Sequence, residues 1–106
     1  MNTDSQGDDA RLESGADYIE RGNVHFLHGE FDKAVVEYSE AIRLDPTDLD
    51  GYFNRGQAYF NQGKNEQAIT DYSEVIRLDP TNATGFSVRG GAYLSQGLND
   101  KAIADY

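Results

Sequence analysis

Only a few residues of this chain are of a type, and at a spacing, that could support catalysis or metal binding. His25 and His28 are three positions apart, so on a helix they would share a face and could form half of a metal site. Glu37 and Glu40 would likewise present two carboxylates on one helix face. The sequence has no cysteine, which excludes thiolate ligands and disulfides. It also has no visible Ser-His-Asp grouping and no glycine-rich phosphate loop.

The elements that position these residues follow from an internal repeat. The segment EAIRLDPTD at Glu40–Asp48 returns as EVIRLDPTN at Glu74–Asn82, and the two prolines are 34 residues apart. The repeat predicts two full units, 15–48 and 49–82, and a third unit, 83–106, that stops early. Other positions align at the same spacing: Tyr18, Tyr52 and Phe86; Arg21, Arg55 and Arg89; Gly22, Gly56 and Gly90; Gly29, Gly63 and Gly97; Ala34, Ala68 and Ala102; Tyr38, Tyr72 and Tyr106.

Each unit has the pattern of a helical hairpin. In unit two, an apolar helical face ends at Gly63, which can take the left-handed conformation that closes a helix. A second apolar stripe with a period near 3.6 residues follows and ends at Asp79-Pro80, because the residue before a proline disfavours helix. The sequence therefore predicts an all-α fold with helices near 16–28, 32–44, 50–62, 66–78, 84–96 and 100–106.

Small and charged residues predict how the two helices of a hairpin meet. Gly56 and Ala68 would allow a close crossing, with Tyr52 and Tyr72 filling the space at one end of it. Arg55 stands sixteen positions before Asp71, and the same spacing separates Arg21 from Glu37 and Arg89 from Asp105. We expect partly buried ion pairs, either within a unit, as Arg55 with Asp71, or across units, as Arg55 with Glu37.

The repeat also gives a structural reason for the residues that were considered for catalysis or metal binding. His25 occupies the position of Tyr59 and Tyr93 in the other units, which favours packing over metal binding. Glu37 and Glu40 fall on the outer face of a helix, where carboxylates are ordinarily solvated. We therefore expect neither an enzymatic activity nor a cofactor.

The composition limits the class of partner. The chain has 19 acidic and 9 basic residues and a net charge of −10, which argues against nucleic acid binding because that depends on clustered cations. No stretch approaches the about 20 apolar residues that a membrane helix needs, and the start lacks a signal-peptide core. We expect a cytoplasmic protein without a membrane partner. Residues 1–14 are predicted to be a disordered acidic tail.

These residues resemble the tetratricopeptide repeat family over about 15–106. The resemblance implies a right-handed α-solenoid of stacked antiparallel hairpins, with a concave groove that is lined by the first helices and binds a partner peptide. The implied function is a protein-protein interaction module. The alternative is a self-assembly element that oligomerises through the incomplete third unit, which ends at Tyr106 without the closing proline.

The resemblance and helical geometry together place the groove residues. Members of the family that clamp the acidic C-terminus of heat-shock chaperones use two asparagines and three basic residues. Asn23 and Asn54 match the asparagines, but Ile19, Thr84 and Val88 occupy the basic positions. We therefore expect an uncharged, partly apolar strip, with the alternative that Phe26 and Phe60 only pack between first helices. The predicted inner wall comprises Ile19, Asn23, Phe26, Leu27, Phe53, Asn54, Gln57, Phe60, Asn61, Thr84, Ser87, Val88 and Leu94.

Overall fold

The computed structural model describes residues 14–106, which form six helices. No strand occurs between residues 14 and 106, so the predicted all-α class is confirmed. Every predicted helix is present and begins one residue earlier than expected. The predicted tail lies outside the described residues, apart from Ser14. The helices are α1 (Gly15–Leu27), α2 (Phe31–Leu44), α3 (Leu49–Asn61), α4 (Asn65–Leu78), α5 (Ala83–Ser95) and α6 (Asn99–Asp105).

Polar side chains begin the first helix of every unit. Ser14 accepts a hydrogen bond from the backbone N–H of Asp17, and the Asp17 carboxylate accepts one from the backbone of Ser14, which completes a capping box. Asp48 caps α3 and Asn82 caps α5 through their side-chain oxygens. The start of each hairpin is thus determined by residues next to it in the sequence.

A glycine makes the turn inside each hairpin. Gly29, Gly63 and Gly97 have φ angles of +74°, +77° and +79°, the left-handed region in which a side chain would be strained. After Gly63, the backbone N–H of Lys64 bonds to the carbonyl of Tyr59 and closes the end of α3. The prediction that Gly63 takes a left-handed conformation is confirmed.

A tyrosine ring lying on a glycine sets the distance between the two helices of a hairpin. A Cβ built on Gly56 would lie only 2.6 Å from the Cε1 of Tyr72, so no side chain fits there. Gly22 faces Tyr38 in the same way, and both rings are almost completely buried. The predicted role of Tyr52 is wrong, because its hydroxyl instead donates to the carbonyl of Pro46 at the junction between units.

The hairpins stack by repeating one small core. Ala58, on the first helix of unit two, packs on Ala34 and Tyr38 of unit one. Ala92 packs in the same manner on Ala68 and Tyr72 one unit later. The α-carbon positions span 59 × 27 × 16 Å, as expected for a solenoid that grows along one axis.

Partly buried arginine side chains join neighbouring units. Arg55 donates two hydrogen bonds of 2.8 Å to the Asp71 carboxylate in its own unit and one of 3.1 Å to the Ser39 hydroxyl in the unit before. Arg89 makes the equivalent contacts with Asp105 and Ser73. The ion pairs therefore form within units, and the alternative contact of Arg55 with Glu37 is wrong. In unit one, the Glu37 carboxylate lies 3.9 Å from the Nε2 of His25.

The short helix α6 is held by a charge as well as by packing. Ala102 is fully buried, and the Asp105 side chain, only 6% exposed, pairs with Arg89. Ile103 is 71% exposed and Tyr106 is 67% exposed. Packing of Ala102 and the ion pair of Asp105 with Arg89 therefore hold this helix together.

We expect Gly56→Ala to lower the free energy of unfolding by about 1–3 kcal/mol, because the new methyl group forces the Tyr72 ring away from α3. Gly91→Ala is the control, since its Cβ would meet only the Tyr106 hydroxyl at 3.8 Å. That change is expected to raise stability by up to ~1 kcal/mol through helix propensity. Urea unfolding of both variants measures the difference, and equal effects would contradict the packing.

We expect Arg55→Met to lower the free energy of unfolding by about 3–5 kcal/mol, because it leaves the buried Asp71 carboxylate without its cation. Burial raises the pKa of Asp71, and the Arg55 hydrogen bonds oppose that rise, so the loss should shrink at acidic pH, where the acid is neutral. The double variant Arg55→Met, Asp71→Leu should recover much of the stability. A double variant as unstable as Arg55→Met would refute this account.

Candidate functional site

A concave pocket of about 350 Å³ lies between the first helices α1 and α3. Five predicted groove residues meet there, together with Leu27, whose place on the inner wall was also expected. Tyr38, from the second helix of unit one, completes the wall and was not predicted to line the groove. The predicted residues in this pocket are Asn23, Phe26, Phe53, Asn54 and Gln57.

The same arrangement recurs one unit later. A pocket of about 200 Å³ between α3 and α5 is lined by Gln57, Phe60, Tyr72, Val88 and Gly91. Gln57 lines both pockets, so the two are neighbours along the concave side of the solenoid. Phe60 and Val88, both predicted groove residues, therefore lie beside this second pocket.

Five predicted groove residues are not brought to these pockets: Ile19, Asn61, Thr84, Ser87 and Leu94. Ile19 packs against the core cluster of Ala34, Tyr38 and Ala58. Thr84 and Ser87 are exposed on α5 and line neither pocket. Ile19 is only partly buried, so its place in the groove stays a prediction.

Two phenylalanine rings form rigid walls of the α1–α3 pocket. Phe26 packs against the core and makes an edge-to-face contact with Phe31, with ring centres 5.2 Å apart. Phe53 packs against the next core cluster, with its ring centre 6.2 Å from that of Tyr72. Each ring is thus held by the core on one side and faces the pocket on the other. Phe26 can therefore pack against the core and line the pocket at the same time.

Buried tyrosine hydroxyls orient the amide side chains of the groove. The Tyr38 hydroxyl donates to the Oδ1 of Asn23 over 2.5 Å, and the Tyr72 hydroxyl donates to the Oε1 of Gln57. Burial raises the pKa of Tyr38 to about 12 and raises the pKa of Tyr72 as well, so both hydroxyls remain donors at neutral pH. Because each amide oxygen faces its tyrosine, the amide nitrogen points away from it and can donate to a ligand.

Tyr38 and Tyr72 could have been assigned to the groove from the sequence. A buried tyrosine usually finds a partner for its hydroxyl, and Asn23 and Gln57 each stand fifteen positions before one of these tyrosines. That spacing repeats with the period of the chain. An amide residue fifteen positions before each of these two tyrosines was the sequence signal that could have revealed the contact.

The histidine that could have contributed to a metal site has carboxylate neighbours instead. The Nδ1 of His25 lies 2.8 Å from the Oε1 of Glu30, and this hydrogen bond lowers the pKa of Glu30. Within residues 14–106, no group of three or more histidine, aspartate or glutamate side chains is arranged to hold a metal ion. In the same part of the chain, no helix combines the length and apolar character required to cross a membrane.

The fold agrees with comparisons to known proteins. The family model described as "TPR repeat" matches residues 22–63 and 56–97. The chain therefore belongs to the tetratricopeptide repeat (TPR) family. A search of curated proteins gave no significant match.

Solved structures of TPR proteins are similar to this chain. A crystal structure of MamA has 28% identity and a TM-score of 0.84, covering 87% of this chain and 54% of MamA. The second TPR domain of Spaghetti (RPAP3), bound to an HSP90 peptide, has 27% identity and a TM-score of 0.83, covering 93% and 92%. The second TPR domain of human RPAP3, in complex with an HSP70 peptide, has 31% identity and a TM-score of 0.79, covering 83% and 73%. This chain spans about half the length of the MamA chain.

We expect the stability of the protein to fall as the pH rises above about 10, the ordinary tyrosine pKa. Folded Tyr38 keeps its proton up to a pKa of about 12, whereas the unfolded chain releases it earlier, so unfolding becomes more favourable through this range. Urea unfolding at several alkaline pH values measures the slope. Tyr38→Phe should reduce that slope, and an identical slope in the variant would contradict the burial of the hydroxyl.

Proposed function

We propose that this TPR protein binds a peptide segment of a partner protein in the concave groove formed by α1, α3 and α5. The observation that carries the proposal is a pocket between first helices that recurs at the next junction and shares Gln57 with it. Relatives of the same fold in complex with peptides of HSP90 and HSP70 support a peptide as the class of ligand.

The α1–α3 pocket is suited to an apolar side chain of the ligand. Its volume is at the lower end of the range of about 300–1,000 Å³ that is typical of ligand pockets. Phe26 and Phe53 supply apolar surface, and Asn54 stands beside them with an amide for the peptide backbone. Because the core already holds both rings in place, binding would cost little ordering of these side chains.

The chaperone peptides of the relatives are not the ligands that we propose for this chain. Ile19, Thr84 and Val88 occupy the positions that resemblance to the chaperone-binding members assigns to basic residues. An acidic C-terminus would lose its hydration there without gaining a cation, which is costly. The groove therefore favours another class of peptide.

Self-association through the C-terminal end is a second candidate function. Leu98, Ile103 and Tyr106 are 41%, 71% and 67% exposed, which leaves apolar surface on and next to α6. Sedimentation velocity at two protein concentrations tests this function, with Ile103→Glu as the disrupting variant. A sedimentation coefficient that does not change with concentration would exclude it.

The cytoplasmic location stays a prediction, and cell fractionation tests it.

We expect peptides selected from a random library to shift the amide NMR signals of the first helices α1, α3 and α5. The signals of the outer helices, which are the second helices α2, α4 and α6, should stay nearly unchanged. Asn54→Ala should weaken their binding about fivefold, the loss expected when a hydrogen bond worth about 1 kcal/mol is removed. Gln67→Ala, an exposed amide on α4, is the matched control. Failure to select any peptide, or signal shifts confined to the outer helices, would refute the proposed function.

A further inference from the structure

Among the described residues, no lysine or arginine lines either of the two pockets. Arg55 and Arg89 pair with buried aspartates on second helices. Arg43 and Arg77 pair with Glu40 and Glu74 within the second helices. The groove therefore has apolar and amide surface but no cation to receive a carboxylate.

In contrast, the repeat assigns two carboxylate residues to the concave side. Glu20 occupies the position in α1 that Asn54 occupies in α3, and Asn54 lines the α1–α3 pocket. Asp50 stands one turn before Asn54 on α3, so the two share a helix face. Both carboxylate residues are exposed. The net charge of −10 adds a field of the same sign around them.

We propose that the ligand of this groove is a short basic peptide segment with one bulky apolar side chain. The apolar side chain occupies the α1–α3 pocket between Phe26 and Phe53, and flanking lysine or arginine residues face Glu20 and Asp50. This inference rests on the proposed peptide-binding function and adds the charge class of the ligand to it.

The same charges disfavour the other possible occupants. An acidic peptide would meet like charge from Glu20 and Asp50 and find no cation in the pockets. A second copy of this chain placed in the groove would bring further negative charge to Glu20 and Asp50, since it carries the same net charge of −10. A basic segment alone gains from both the apolar pocket and the surrounding field.

The test uses the peptide that binds best in the library selection described above. Three versions are synthesised with identical apolar residues and with lysine, serine or glutamate at the flanking positions. A fourth keeps the lysines and replaces the bulky residue by alanine. Fluorescence anisotropy with the full chain measures each dissociation constant at low and high salt. We expect the lysine version to bind about tenfold tighter than the serine version at low salt, the glutamate version to bind weakest, and the alanine version to lose most of the affinity.

A matched pair of variants separates the local carboxylates from net charge. Glu20→Gln with Asp50→Asn removes two charges from the concave side, and Glu66→Gln with Asp100→Asn removes two exposed charges from second helices. The first variant should weaken binding of the lysine version about three- to tenfold at low salt, and the control less than twofold.

Each other outcome has a distinct meaning. If the glutamate version binds as tightly as the lysine version, or if both double variants behave alike, the charge inference is overturned while groove binding stands. If the alanine version binds unchanged, the apolar anchor is overturned. If no peptide is selected at all, the proposed function fails and this inference fails with it.

Discussion

The contact between a buried tyrosine ring and a glycine is the constraint on which the rest of this structure depends. Tyr38 on Gly22 and Tyr72 on Gly56 set how closely α1 approaches α2 and α3 approaches α4. The same two rings form the surface on which Ala58 and Ala92 of the following units pack. One contact therefore determines the spacing within a hairpin and the spacing between hairpins. Because it recurs every 34 residues, the solenoid is regular.

The tyrosines also connect the core to the groove. Their rings are in the core, whereas their hydroxyls reach the concave side and bond to Asn23 and Gln57. The pocket walls Phe26 and Phe53 rest on the core clusters that contain these rings. The geometry of the groove is thus a consequence of core packing, and a loss of packing at a glycine position would disturb the groove as well.

The distribution of charge follows from the same architecture. Arg55 and Arg89 hold neighbouring units together. Each guanidinium group binds an aspartate in its own unit and a serine in the unit before. These cations are neutralised by Asp71 and Asp105, so they contribute little to the field outside. The acidic excess of the chain, a net charge of −10, therefore stays on the surface. It is the electrostatic setting that an approaching partner meets.

Local features of the sequence determined the helices and the repeat. Helical periodicity, the left-handed Gly63 and the residues before Pro46 and Pro80 act over only a few residues, so they placed all six helices with starts only one residue from those observed. Most of the α1–α3 pocket was also predictable, because the family resemblance implies a groove lined by first helices and helical geometry puts Asn23 and Asn54 on that face. The tertiary structure alone decided which side chains meet across helices. It packed Ile19 against the core, gave Arg55 both Asp71 and Ser39 as partners, and brought the Tyr38 hydroxyl to Asn23. These outcomes depend on the angle and distance between helices, which no short stretch of sequence specifies.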